Sequence, residues 1–313
     1  MSPSALVVDE LTVRVGAIET VHQLSFALEV GQRTGLIGES GSGKTLTALA
    51  IMGLLPDGLS ATGRVLYQGH DLMALSEREL CQLRGDRLAM VFQEPMTALN
   101  PVMTIGDQVA EPFRLHRRLR GSQARAAALQ ALQRVHLPDA GEKMHAYPHQ
   151  LSGGQRQRAM IAMATACSPA VLLADEPTTA LDVTVQAQIL DLLVDLVEER
   201  GSSLLLITHD LPVVANVCRR VLVVYGGHLV EEGSVDEVFS RPRHPYTRAL
   251  LDTIPPLDED VPSRKLPAIP GSVPGLGEFP PGCPFRNRCP RADAACAKMP
   301  PRVDGVACWH PLT

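Results

Sequence analysis

The sequence has no long apolar run. Its longest apolar stretches, residues 48–55 and 159–167, fall well short of the roughly 20 residues that span a bilayer. It also lacks a basic start followed by an apolar stretch: MSPSALVVDELTV carries Asp9 and Glu10 where a secretory signal needs apolar residues, so no signal peptide is expected. There is no excess of basic residues, the formal net charge being -5, which weighs against a nucleic-acid binder that relies on a strong basic surface. No C-x2–4-C pair occurs, although seven cysteines are present. Cys81, Cys167 and Cys218 stand alone, while Cys283, Cys289, Cys296 and Cys308 crowd into the last 31 residues. In a chain whose thiols stay reduced, that late group reads first as a metal site and second as disulfides.

What is present is a globular composition, 45% hydrophobic and 20% charged, over 313 residues. Alternation of Leu11, Val13 and Val15, then of Leu24, Phe26 and Leu28, predicts two antiparallel strands. A short strand at 34–37 runs into a glycine-rich turn and a helix reaching about Leu55. Ser76-x-x-Glu79 and Ser234-x-x-Glu237 have capping-box spacing and should each open a helix. Two helical patterns fill 104–136, parted at Gly121-Ser122. Alternation then follows: helix 153–167, strand 171–175, helix 183–199, strand 203–208, helix 211–217, strand 219–225. Short apolar strands alternating with helices predict an α/β fold with a mainly parallel sheet covered on both faces. Past Leu251 the chain turns proline-rich as far as Pro281, which predicts an extended linker or wrapping arm.

Gly38-Glu39-Ser40-Gly41-Ser42-Gly43-Lys44-Thr45 fits G-x-x-x-x-G-K-[ST] between a strand and a helix, the setting of a phosphate-binding P-loop. Glycines let successive N–H groups turn inward on phosphates, Lys44 supplies a compact positive charge, and the Thr45 hydroxyl suits Mg2+. A buried strand, Val171 to Ala174, ends in Asp175, a carboxylate suited to Mg2+, and Glu176 follows as a candidate general base. Taken alone, an acidic pair at a strand end is more often a solvated loop start. Leu151-Ser152-Gly153-Gly154-Gln155 opens the helix at 153 with a capping box of its own, Ser152 to Gln155. Capping does not call for two glycines in the first turn, whereas close approach of an anion does.

LSGGQ together with the P-loop, the Asp175-Glu176 pair and a downstream histidine resembles the nucleotide-binding domain of ABC ATPases, over residues 5–240. The resemblance implies a P-loop NTPase core of ABC type that binds and hydrolyses ATP with Mg2+. It also implies an N-terminal antiparallel β subdomain and a helical subdomain at about 93–166. Ser152, Gly153, Gly154 and Gln155 of one subunit would then close over ATP held by the P-loop of another. Gln93 matches the glutamine that contacts Mg2+ and the attacking water, Asp182 the residue that signals across the dimer, and His209 the histidine that contacts the γ-phosphate. Asp182 also suits a helix N-cap. The family usually has an aromatic residue near the end of the first strand, stacked on adenine. Here the matching place is Val15, so adenine contact is expected to be apolar rather than stacked.

Gln93-Glu94-Pro95-Met96-Thr97-Ala98-Leu99-Asn100-Pro101 resembles the corresponding region of peptide and nickel importers. Arg243-His244-Pro245-Tyr246-Thr247-Arg248-Ala249-Leu250 resembles the segment that opens the C-terminal extension of oligopeptide and dipeptide importer ATPases. An ABC domain is therefore expected at 1–240 and a cysteine-containing extension at 241–313. From the residues alone, four thiols spaced x5, x6 and x11 suit either Zn2+ or an iron–sulfur cluster. The importer resemblance, through Cys283-Pro284-Phe285 and Arg288-Cys289, implies a [4Fe-4S] cluster, with His310 a further candidate ligand. It also implies a peripheral protein on the cytoplasmic face of the membrane. Its partners would be a second, related but non-identical ATPase, two membrane permeases and an extracytoplasmic peptide-binding protein. Two rivals remain at this stage: an ABC ATPase for another solute such as a metal ion, and a soluble ABC ATPase acting on nucleic acid or the ribosome. The tail carries Arg286, Arg288, Arg291 and Arg302 without an aromatic-and-basic groove, so no nucleic-acid partner is expected.

Overall fold

A computed structural model describes residues 4–179, 181–254 and 268–313. Strands β1 (Ser4–Val15) and β2 (Ile18–Glu29) form the expected antiparallel hairpin, burying Leu11, Val13, Leu24, Phe26 and Leu28 on its inner face. Strand β3 (Arg33–Ile37) leads through the glycine-rich loop into helix α1 (Lys44–Met52). Gly53 caps that helix at φ 63°, a conformation that suits glycine, so the helix stops there rather than reaching Leu55. β4 (Leu59–Tyr67) and β5 (His70–Asp71) complete a four-stranded antiparallel sheet in the order β2-β1-β4-β5.

Helix α2 (Glu77–Leu83) opens at the predicted Ser76 capping box and precedes β6 (Leu88–Val91). A helical excursion follows: α3 (Pro95–Ala98), α4 (Ile105–His116), α5 (Ser122–Arg134), α6 (Ala140–Lys143) and α7 (Gly153–Thr165). The chain then alternates through β7 (Val171–Asp175), α8 (Val183–Arg200), β8 (Ser203–Thr208), α9 (Leu211–Val217) and β9 (Arg220–Tyr225). After β10 (His228–Ser234) come α10 (Val235–Ser240), opened by the predicted Ser234 capping box, and α11 (Pro245–Asp252). Short strands β11 (Arg302–Val303) and β12 (Val306–Ala307) follow.

The second sheet runs β11-β12-β10-β9-β3-β8-β7-β6. Its middle, β9-β3-β8-β7-β6, is parallel, as the alternation of short apolar strands with helices requires. Successive side chains leave opposite faces, which is why the strands are apolar throughout. Leu172, Ala174, Leu204 and Leu206 enter one core, while Val171, Leu173, Leu205 and Ile207 enter the other. All the loops at the C-terminal ends of these parallel strands open on one edge, and the chemistry gathers there.

The last part of the chain is fused to this frame. β12 extends the sheet beside β10, pairing Val306 with Glu231. The buried Glu231 carboxylate accepts the backbone N–H groups of Arg243 and His244 at 2.7 and 2.9 Å, fixing the start of α11. Tyr225, Tyr246 and Phe285 meet with ring centroids 4.6 to 5.3 Å apart, each fully buried. Residues 255–267 of the proline-rich stretch lie outside the described residues. From 268 to Gly282 the chain runs without helix or strand across the P-loop end of the sheet, as expected of an arm.

Candidate nucleotide site

The P-loop is shaped by what its glycines allow. A Cβ on Gly38 would stand 2.1 Å from the Val224 carbonyl oxygen, and one on Gly43 would stand 3.0 Å from that of Thr20. Gly43 also adopts φ 88° as the N-cap of α1, where any other residue is strained. Lys44 folds back into the loop, donating to the Gly38 and Glu39 carbonyls at 2.7 and 3.1 Å. Burial pulls its pKa below the ordinary lysine value, and the charges of Glu176, Asp175 and Glu39 work against that. A buried ammonium that bonds only its own loop is a ready site for an incoming anion.

Asp175 ends β7 almost fully buried, and its Oδ1 has no hydrogen-bond partner. Burial pushes its carboxyl up, with the Thr45 hydroxyl and Lys44 lowering it and Glu176 adding to the rise. An orphaned, desolvated carboxylate oxygen beside the Thr45 hydroxyl has the chemistry of a Mg2+ seat: the residues present fit the ion.

Glu176 adopts φ 43°, an uncommon conformation for a residue with a side chain. Three side chains from three other loop positions hold its carboxylate. His209 Nδ1 lies at 3.0 Å, Thr179 Oγ1 donates at 2.8 Å, and Gln93 Nε2 donates at 3.3 Å. Burial raises the Glu176 pKa, but the hydrogen bonds of His209 and Thr179 and the charges of His209 and Lys44 outweigh it and leave the group below the usual carboxylate value. Val15, Ser40 to Thr45, Gln93 and Glu176 line one cavity of about 600 Å³, of a size that holds a small-molecule ligand. His209 borders the adjoining cavity with Gly38, Glu39 and Ser40.

The Ser152–Gln155 segment is not brought to this cavity; it lines neither of the two. Ser152 makes the expected capping box, donating its N–H to Gln155 Oε1 at 3.0 Å and accepting the Gln155 N–H at 3.3 Å. Its two glycines differ. A Cβ on Gly154 would meet Val185 Cγ1 at 2.9 Å, whereas one on Gly153 would find only an ordinary contact with Leu181 at 3.6 Å. Asp182 caps α8, accepting from the Val185 N–H at 3.0 Å, and is exposed.

Residues that the sequence pattern passed over also belong here. The guanidinium of Arg288, buried, forks onto the P-loop carboxylate of Glu39 at 2.7 and 3.1 Å, across 249 residues. Tyr246 Oη accepts the Glu39 N–H at 2.8 Å. Val273, Leu276 and Phe279 line the cavity of Lys44 from the arm. Only contacts made by folding join these residues to the loop, and no local spacing announces them.

Cys283, Cys289, Cys296 and Cys308 line a small pocket of their own with Phe285, His244 and His310. Three of the sulfurs accept backbone N–H groups: Cys283 from Phe285, Cys289 from Arg291 and Ala292, and Cys308 from His310. Burial nevertheless pushes the Cys283 thiol up to about 11, with the other three cysteines adding to it and the Phe285 N–H opposing. Among the described residues, the only potential ligand trio whose donor atoms all lie within 4.8 Å is Asp293, Cys296 and His310. Within it, His310 Nε2 already pairs with Asp293 at 3.0 Å.

Residues 21–179 match the family model for the ABC transporter, and residues 230–296 match that for the oligopeptide/dipeptide transporter, C-terminal region. The chain belongs to the ABC transporter ATP-binding family. It is 49% identical over 295 residues to a probable peptide ABC transporter ATP-binding protein of Sinorhizobium fredii, covering 92% of this chain and 88% of that one. It is 46% identical over 302 residues to the oligopeptide transport ATP-binding protein OppD of Escherichia coli, covering 95% and 89%. Among solved structures, the ATP-binding cassette MJ0796, dimeric and bound to ADP and Pi, aligns at 30% identity with a TM-score of 0.66, over 74% of this chain and 98% of that one. No helix among the described residues of this ABC ATPase is long and apolar enough to cross a membrane.

Proposed function

We infer that the chain is the ATP-hydrolysing subunit of a peptide importer, working against membrane permeases and a second ATPase subunit. The observation that carries the hydrolytic part is Glu176, strained in its backbone and held by His209, Thr179 and Gln93 at the edge of the cavity that contains Lys44. The peptide assignment rests on the matched C-terminal region and on relatives named as peptide transporters.

In this reading Lys44 exchanges its loop carbonyls for the β- and γ-phosphates of ATP. Thr45, Asp175 and Gln93 would hold Mg2+, which supplies charge neutralisation on the phosphates. Glu176 stays ionised at neutral pH because its pKa is lowered, so it orients and polarises the attacking water rather than waiting for a proton. His209, 62% exposed in its side chain, bonds Glu176 and borders the adjoining cavity with Gly38, Glu39 and Ser40. Ser152–Gln155 sits away from its own P-loop, which supports a site completed by a second ATPase: the glycine-opened start of α7 in one subunit would meet the phosphates held by the other. Asp182, exposed at the start of α8, would lie at that junction.

Glu176→Gln will keep ATP binding, lower turnover by at least about 100-fold, and accumulate an ATP-bound dimer on size exclusion. Near-normal ATPase activity in that variant would overturn the assignment of Glu176. Pull-down from detergent-extracted membranes should recover two membrane proteins and a second ATPase; recovery of ribosomes or nucleic acid instead would reject the importer.

The four cysteines we assign to a [4Fe-4S] cluster. Four thiols around one pocket with backbone N–H groups on three sulfurs suit a thiolate-held group, and the likeness of Cys283-Pro284-Phe285 and Arg288-Cys289 to peptide importers favours the cluster over a single Zn2+. Anaerobic purification should give a brown protein with broad visible absorption. A colourless protein carrying zinc would refute the cluster.

A further inference from the structure

The site has a wall that the P-loop elements do not supply. At the end of β1, where an aromatic ring would cover the base of a bound nucleotide, Val15 presents only a small apolar surface. The C-terminal arm lines the same cavity, contributing Val273, Pro274, Leu276 and Phe279. The arm is anchored at several points. Arg288, whose guanidinium grips the P-loop through Glu39, also donates Nε–H to the Pro270 carbonyl at 2.9 Å. Phe279 stands edge-on to Tyr225, with centroids 6.0 Å apart at 85°, and lies so close over Gly226 that a Cβ there would meet its ring at 2.6 Å.

Between these anchors the chain makes a tight turn. The Glu278 N–H bonds the Gly275 carbonyl at 2.9 Å, and the Glu278 side chain accepts the Gly275 N–H at 3.1 Å. Gly277 takes the third position at φ 80°, where a type II turn requires glycine, and rests against Ile18 of the β1–β2 hairpin. The turn therefore holds Leu276 out at its second position, 53% exposed and facing the cavity of Lys44. A large apolar side chain displayed on an anchored turn gains by being covered.

We propose that Leu276, backed by Phe279, is the nucleobase-contacting and affinity-determining element of this ATP site, adding to the small apolar surface of Val15 in the same cavity. The extension is thus part of the nucleotide pocket itself. The proposal rests on this cavity being the ATP site. The base is held against the aliphatic surfaces of Val15 and Leu276, and the phosphates are gripped separately by Lys44 and the loop N–H groups. Contact with the base and contact with the phosphates are then separable by substitution.

The test is calorimetric titration of the full chain with Mg-ATP and, in parallel, with Mg-tripolyphosphate, which carries the phosphates without a base. Leu276→Ala should weaken ATP binding about five-fold or more, the fraction of a leucine's burial that a base can cover, and leave tripolyphosphate unchanged. Leu276→Met should restore ATP affinity. Unchanged ATP affinity in Leu276→Ala, or an equal loss for both ligands, would overturn the proposal while leaving the ATP site intact. If instead the wild type bound neither ligand, or Lys44→Ala bound both as the wild type does, the site itself would be misplaced and the proposal would fall with it.

Discussion

At the scale of single residues, His228 has an unusual environment. It stacks on His22 with centroids 4.1 Å apart and planes within 2°, and His22 in turn pairs with Glu19 at 3.0 Å. Burial, with the charge of His22, depresses the His228 pKa to about 3, and Glu19 opposes weakly. The unfolded chain accepts this proton near the ordinary value of about 6.5, which the folded chain refuses. The contribution to stability is therefore complete above about pH 7 and is lost as the pH falls from about 6.5 toward 3. Denaturant titrations at pH 7.5 and 5.5 will show the wild type losing about 1 kcal/mol more than His228→Gln, a figure already reduced for the ring's partial contact with solvent. Equal losses would remove His228 from the acid response. Arg288 shows the other face of residue-scale chemistry. Burial alone would weaken its charge, but the Glu39 carboxylate and the Tyr225 hydroxyl more than compensate, so the guanidinium stays charged beneath the surface.

At the scale of elements, the start of α7 carries a distinction that two adjacent glycines hide. Gly154 is small because α8 comes close: a methyl group there would strike Val185. Gly153 has room for one, so nothing among the described residues accounts for its being glycine. Gly154→Ala should destabilise the fold by about 1–3 kcal/mol, and Val185→Ala should recover much of that. Gly153→Ala should melt at or above the wild-type temperature, since alanine favours a helix over glycine, and yet lose most ATPase activity. If Gly153→Ala hydrolysed ATP normally, the start of α7 would be a capped helix end and nothing more.

At the scale of the molecule, the layered α/β core and most of the residues that line the candidate site were legible in the sequence. The reasons are physical: β7 and β8 are buried on both faces and must be apolar, and the loop around Gly38 and Gly43 must bring backbone against backbone. Lys44, Asp175 and Glu176 could be read because each sits at a strand end or helix start of recognisable pattern. His209 and Gln93 came only through the family register, and the structure places both beside Glu176 or its cavity. What remained illegible was the return of the last 45 or so residues onto the P-loop. An ion pair such as Arg288–Glu39 spans 249 residues, and no period or motif connects its ends. The turn that presents Leu276 looks from its sequence like any proline- and glycine-rich stretch.

The aromatic seam has a consequence in time. Tyr225 ends β9 inside the central sheet, yet the ring that packs edge-on against it, Phe285, lies 60 residues further along. At about 5–20 residues per second, a ribosome needs about 3–12 s to add that interval, and the exit tunnel lengthens the wait. Until then Tyr225 lacks that ring, and Arg288, three residues beyond Phe285, has not reached the P-loop carboxylate of Glu39. The nascent chain therefore presents its P-loop before the arginine that grips Glu39 has been made.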